Sequence, residues 1–251
     1  MTDFRGPEMT WKKASVLIAT AAVIAVLFLS RTCRQPEEQP VVEIPPRPVD
    51  YVYISDYDSI FRNYADSVYD WKLLAAIAYA ESRFKDSLVS DMGAEGLMQI
   101  VPRTYERMLK RMELPDTLER TTELDVRVAV FFMHELEKRF PFVTDEKERL
   151  NFVLASYNSG TGHVLDAARY AASHGMDRSS WNDVCKVLRR LNQEDVYTDS
   201  VCRNGYFNAG PTVHYVKFVQ SKYKEYCSKE LMFRAAEQLK ENLYDEIRNN
   251  N

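Results

Sequence analysis

Histidine, cysteine and glycine are scarce in this 251-residue chain, which holds 4, 4 and 8 of them. The histidines fall in no ligand-like spacing and no C-x-x-C pair exists, so neither a metal centre nor a cofactor is expected. Cys185, Cys202 and Cys227 lie in the part read as folded. Three thiols allow one bridge with one left over, and their spacing does not choose the pair. Positive charge is not in excess either. A net charge of −4 supplies no field to gather nucleic acid, which is not expected as a partner. No internal repeat of the roughly 20–50-residue kind is present, which argues against solenoids and propellers.

Long uncharged runs are equally rare, and the one that occurs is informative. It extends from Ala14 to Ser30, behind Lys12 and Lys13 and ahead of Arg31 and Arg34. At ~1.5 Å per residue a helix of this length barely crosses a ~30 Å hydrocarbon layer. No small-residue cleavage site follows, and Arg31 and Thr32 form a poor lipid-attachment context for Cys33. The run reads as an uncleaved transmembrane signal anchor, ahead of a lipoprotein modified at Cys33 and of a fully secreted chain. Each reading places the bulk of the chain outside the cytoplasm, and the first makes the membrane a partner through the N-terminal helix.

Proline, by contrast, clusters before residue 50. The stretch QPEEQPVVEIPPRPV from Gln35 to Val49 cannot continue a helix and suits a semi-stiff spacer. The expected organisation is a cytoplasmic stretch 1–13, an anchor 14–30, a proline-rich linker 31–58, one folded domain 59–228 and an amphipathic terminal helix 229–251.

Within the folded part the apolar period is helical. Trp71, Leu74, Ala75, Ala78 and Ser82 follow the i, i+3, i+4 rule, as do Leu150, Val153, Leu154 and Tyr157. Further helices are expected from Leu124 to Phe140, from Trp181 to Leu191 and through Val213, Val216, Val219, Gln220 and Tyr223. In the tail, Leu231, Ala235, Leu239 and Leu243 fall near one face. The expected class is mainly α.

Glu81 breaks this pattern. It follows Leu74 by seven residues, Ile77 by four and Ala78 by three, so its carboxyl falls on the apolar stripe near the helix C-terminus. Poor solvation and the negative end of the helix dipole both favour its protonated form. A carboxylic acid that stays protonated near neutral pH can give a proton to a glycosidic oxygen and later take one back. On its own, a solvated helix-end Glu is the commoner explanation. Beyond it, Gly93 and Gly96 bracket a turn into Leu97-Met98-Gln99, where Gly96 admits close backbone approach and Gln99 offers amide donors and an acceptor to sugar groups.

With Glu81-Ser82 and Gly96-Leu97-Met98-Gln99 in place, the segment resembles the transglycosylase (SLT) domain of family 1 lytic transglycosylases, in particular the membrane-bound type with an MltF-like C-terminal domain. Ser90 falls where that family carries a site-lining Ser. Ala155-Ser156-Tyr157-Asn158 resembles its A-Y-N motif, with Ser156 in place of Ala. Thr212-Val213-His214-Tyr215-Val216 resembles its E-T-x-x-Y-V motif, with Pro211 where the Glu would stand. The resemblance covers about residues 61–226.

It implies a lysozyme-like, mostly helical fold with a groove between lobes, and peptidoglycan glycan strands as the partner. The implied reaction is non-hydrolytic cleavage of the β-1,4 bond between N-acetylmuramic acid and N-acetylglucosamine. Glu81 would protonate the leaving oxygen and then deprotonate the muramic C6 hydroxyl, giving a 1,6-anhydro end. The rivals are a hydrolytic muramidase on the same fold and a non-catalytic glycan-binding scaffold. Ordinary glycosidases use two carboxylates, and Asp86, Asp91 and Glu95 are the candidates for a second. The Tyr157 hydroxyl is expected to hydrogen-bond the Glu81 carboxyl. Asn158 and Tyr215 are divided between site wall and structural roles.

Overall fold

The computed structural model describes residues 52–249. The expected anchor at 14–30 and Cys33 lie outside them. Among the described residues no helix is long and apolar enough to cross a membrane.

The chain runs through α1 (Asp58–Tyr64), α2 (Trp71–Ser82), α3 (Pro102–Arg111), α4 (Thr122–Glu137), α5 (Glu146–Ser159), α6 (Thr161–Ser173), α7 (Trp181–Leu188), α8 (Glu194–Tyr197) and α9 (Gly210–Asn249). The mainly helical class is as expected. Among the described residues, β pairing is limited to antiparallel bridges Val89–Glu95 and Glu95–Ile100 in the loop between α2 and α3. Short polar residues start the helices where the apolar period begins. The side chains of Asp70, Thr121, Asp145 and Ser180 accept backbone N–H bonds ahead of α2, α4, α5 and α7, each cap worth about 1 kcal/mol.

Helix α2 is the centre of the fold. Every residue from Trp71 to Ala78 is buried, so its apolar surface is wider than the stripe read from the sequence. Ala75, Ala76 and Ala78 are small enough for α1 and α9 to close on it. Full burial of a side chain such as Leu74 or Ile77 contributes about 1.5–3 kcal/mol. Lys72 is the charged exception, buried between Asp70 at 2.9 Å and Glu230 at 2.6 Å. Helix α5 packs on α4, α6 and α9 and so carries its C-terminal residues towards the end of α2.

Helix boundaries shift in explicable ways. Helix α4 stops at Glu137 rather than Phe140, short of Pro141. Helix α7 stops at Leu188, three residues before the expected end. Gly160, at φ 82°, separates α5 from α6, a helix that the sequence reading did not set apart. At the far end α9 is one helix through position 229, because no Gly or Pro follows Pro211. Its Glu230 is tied to the domain through Lys72.

Candidate active site

Glu81 sits one residue before the end of α2, where the buried helix meets an open cleft of about 650 Å³. The cleft walls come from the α2–α3 loop (Ser90, Met92, Gln99), from α3 (Thr104, Arg107), from α4 (Phe132, Leu136) and from the end of α5 (Ser156, Tyr157, Asn158). Burial pushes the Glu81 pKa up to about 7, and the Tyr215 hydroxyl pulls it part of the way back. That hydroxyl is buried beside the carboxyl but does not close a hydrogen bond of regular geometry. Burial thus favours the protonated form of Glu81 well above the usual carboxylate range. It is also the sole carboxylate among the residues lining the cleft.

The phenol set against the Glu81 carboxyl is Tyr215 rather than the expected Tyr157. Tyr157 donates its hydroxyl to the Met98 carbonyl at 2.8 Å, while Tyr215 on α9 faces the carboxyl. Tyr157 projects from the last turn of α5 onto the α2–α3 loop, where the backbone carbonyl at Met98 lies within its reach, and its ring packs on Phe132 with centroids 5.4 Å apart.

The loop itself is built by the motif residues. Ser90 closes a turn, its Oγ accepting from Ala94 N at 2.9 Å. Gln99 adopts φ 49°, and its Nε2 donates to the Leu88 and Gly96 carbonyls at 2.9 Å each. Its donors thus hold the loop rather than standing free for a sugar, and only its carbonyl oxygen is left towards the cleft it lines. Gly96, at φ 76°, is required twice over, since a Cβ there would lie 1.8 Å from Asp125 Oδ2. Leu97 and Met98 are fully buried and anchor the loop in the core. Ser82 is buried, its hydroxyl bonded back to Ala78 O at 3.1 Å. Asn158 accepts from the Thr212 hydroxyl at 2.9 Å, tying α5 to the start of α9, and also lines the cleft. The structure thus brings Glu81, Ser90, Gln99, Tyr157 and Asn158 to one cleft and places Tyr215 behind Glu81.

One supporting pair was missed in the sequence. Arg120 binds Asp125 at 2.7 Å, Glu95 Oε2 at 3.3 Å and the Glu95 carbonyl at 2.6 Å, and its guanidinium lies 4.2 Å over the Tyr105 ring. Burial raises the Asp125 pKa, and Arg120 offsets part of that rise. The available signal was Asp125 itself, an acid on the first turn of an apolar helix. Of the carboxylates considered as a second acid, Glu95 belongs to this ion pair, Asp86 meets the Thr122 hydroxyl at 3.5 Å, and Asp91 is exposed. None lines the Glu81 cleft.

A lone carboxyl with its pKa raised to about 7, lining an open cleft beside a buried phenol, is a candidate acid/base site. Residues 58–179 match the family model described as the transglycosylase SLT domain, and through this segment the chain belongs to that family. The membrane-bound lytic murein transglycosylase F of Shewanella frigidimarina is 36% identical over 170 residues, 68% of this chain and 34% of that protein. The namesake from Marinobacter nauticus is 36% identical over 170 residues, 66% of this chain and 32% of that one. The chain thus spans about a third of the length of these curated relatives. Among solved structures, the 70 kDa soluble lytic transglycosylase of Escherichia coli is similar at 19% identity and a TM-score of 0.44, over 70% of this chain and 25% of that one.

Proposed function

We propose that this domain is a lytic transglycosylase of peptidoglycan, cleaving the β-1,4 bond between N-acetylmuramic acid and N-acetylglucosamine with Glu81 as its single acid/base. The observation that carries this reading is the isolation of Glu81. Two-carboxylate glycosidases place a second acid across the bond, and no other carboxylate lines this cleft. With no second carboxylate in the cleft, Glu81 itself becomes the base once it has given up its proton, and in this reading it takes the proton of the muramic C6 hydroxyl, whose attack on C1 yields a 1,6-anhydro end. A pKa of about 7 lets Glu81 donate to the leaving oxygen and then accept the C6 hydroxyl proton. The same isolation speaks against a hydrolytic muramidase in which a second carboxylate places the water. A raised pKa in a buried acid costs stability without serving a scaffold.

Ser90, Gln99, Tyr157 and Asn158 form the walls that hold the strand in this reading, and Ser82, Gly96, Leu97, Met98 and Tyr215 support them. The deciding experiment is digestion of purified sacculi by the full chain, followed by mass spectrometry. Muropeptides lighter by one water than hydrolytic products are expected; hydrated reducing ends would establish the muramidase instead.

The proposed setting is the cell envelope, with residues 14–30 as a retained anchor and the domain on the periplasmic side. Protein isolated from membranes should begin at or near Met1. A lipidated Cys33 at the mature N-terminus would overturn the anchor.

A further inference from the structure

Helix α9 outruns the domain. Glu230 ties it to α2 through Lys72, and the helix then continues from Leu231 to Asn249, about 28 Å further at the rise of an α-helix. Beyond Glu230 the bonds are made along the helix itself: Arg234 to Glu230 at 2.8 Å, Gln238 to Asn242 at 3.3 Å and Lys240 to Glu237 at 3.1 Å. Leu231, Met232, Leu239 and Leu243 are between 58% and 72% exposed. Leu231, Ala235, Leu239 and Leu243 follow one another at intervals of four, with Met232 and Ala236 beside them, so one face of the helix is apolar. Glu230, Arg234, Glu237 and Glu241 fall on the opposite face. A free helix of this length is marginal in water, because helices gain most of their stability from packing an apolar face. Nothing in the domain covers this one.

We propose that this face docks a second copy of the chain, the two α9 helices lying antiparallel about a two-fold axis at Leu239. Three observations select that occupant. The face is complementary to itself in size: turned about Leu239, Ala235 meets the partner's Leu243 and Leu243 meets the partner's Ala235, small against large on both sides of the axis. Residues four apart are also the ridges by which helices most often pack on one another. The face is complementary in charge as well. Arg234 and Lys240 outnumber Glu237 in positions 231–240, whereas Glu241, Asp245 and Glu246 outnumber Arg248 in positions 241–249. An antiparallel mate sets each half against its opposite, and a parallel mate sets it against its like. Finally, acids outnumber bases over the whole stretch, the reverse of a helix made to lie on an anionic lipid surface. Tyr215 stands about 36 Å along α9 from the axis at Leu239. Pairing therefore leaves each Glu81 cleft open, and one assembly presents two of them.

The test is sedimentation equilibrium of the full chain in mild detergent, with thiol cross-linking in membranes to read the orientation. Wild type should be a dimer. Leu239→Glu sets two carboxylates at the axis and should weaken the dimer by about tenfold or more, the loss of one buried leucine per copy. Thermal melts of the domain should not change, because Leu239 is exposed in the single chain. For orientation, chains carrying Ala235→Cys are mixed with chains carrying Leu243→Cys under mild oxidation. Mixed disulfide-linked pairs should form above the wild-type level, and neither variant should link to itself. Self-linking of each variant alone would mean a parallel pair and overturns the proposal. A dimer untouched by Leu239→Glu is held elsewhere and overturns it too. So does a monomer in detergent that gives no mixed links in membranes; loss of its binding to anionic lipid vesicles on Leu239→Glu would then mark the face as a membrane contact.

Discussion

The Tyr215 hydroxyl, carried by α9, faces the Glu81 carboxyl at the end of α2 and pulls down a pKa that burial has pushed up to about 7. Two helices more than a hundred residues apart in sequence therefore set one protonation equilibrium. The packing of α9 on α2 is what brings them together.

If Glu81 is the acid/base, Glu81→Gln should abolish strand cleavage, because an amide can neither give nor take that proton. The loss should reach at least 10²-fold, the lower end of what general acid–base catalysis contributes. Release of muropeptides from sacculi measures it. A folded Glu81→Gln protein with wild-type turnover would remove Glu81 from the mechanism.

The same residue should make stability depend on pH. The folded-state pKa is raised from 4.5 to about 7, so folding binds the proton more tightly than the unfolded chain does. Its contribution is fully present below about pH 4.5 and is lost as pH rises to about 7 and beyond. At ~1.4 kcal/mol per unit the loss is at most about 3 kcal/mol. Denaturant melts at pH 5 and pH 8 should show wild type losing more stability over that interval than Glu81→Gln. Parallel losses in the two proteins would mean that Glu81 titrates normally.

The loop that carries Gln99 should depend on Arg120. Arg120→Ala leaves Asp125 buried without its cation, and breaking a buried pair costs about 3–5 kcal/mol. The exposed side of Arg120 moves the expected loss to the low end. Melting temperature should fall, and KM should rise as the Gln99 wall loosens. Arg120→Lys should rescue only in part, because Arg120 binds Asp125 and two carbonyls through separate N–H groups. An Arg120→Ala protein of unchanged stability would show that the ion pair is incidental.

Much of this was legible beforehand, for a physical reason. Helical period and the position of Glu81 on it are local properties, and they marked both α2 and its anomalous acid. The turn glycines marked the loop, since φ 76° at Gly96 is a backbone demand visible in residue type. What stayed hidden depends on contacts distant in sequence. Nothing near Tyr157 shows that the Met98 carbonyl will take its hydroxyl, and nothing near Tyr215 shows that α9 will lay it against Glu81. Gln99 was misread for a similar reason. Its type announces donors, and only the folded loop reveals that Leu88 and Gly96 use them. The burial of α2 all round was likewise underestimated, because alanines between leucines read as a neutral face until neighbouring helices close on them.

The two tyrosines should separate in a pH–rate profile. Protonated Glu81 is needed for the first proton transfer, so the rate should decline above its pKa, near 7 in wild type. Tyr215→Phe removes the group that favours the charged carboxylate, so the Glu81 pKa should rise and the alkaline limb should move to higher pH. Tyr157→Phe removes a bond to a backbone carbonyl and no hydrogen bond to the acid. Its alkaline limb should stay in place, while stability falls by about 0.5–1.5 kcal/mol for one lost hydrogen bond and KM rises as the cleft wall relaxes. The paired variants therefore carry opposite signatures, a shifted limb for Tyr215 and a shifted KM and melting point for Tyr157. A limb that moves in Tyr157→Phe and stays fixed in Tyr215→Phe would return Tyr157 to the position on Glu81 that its sequence motif suggests.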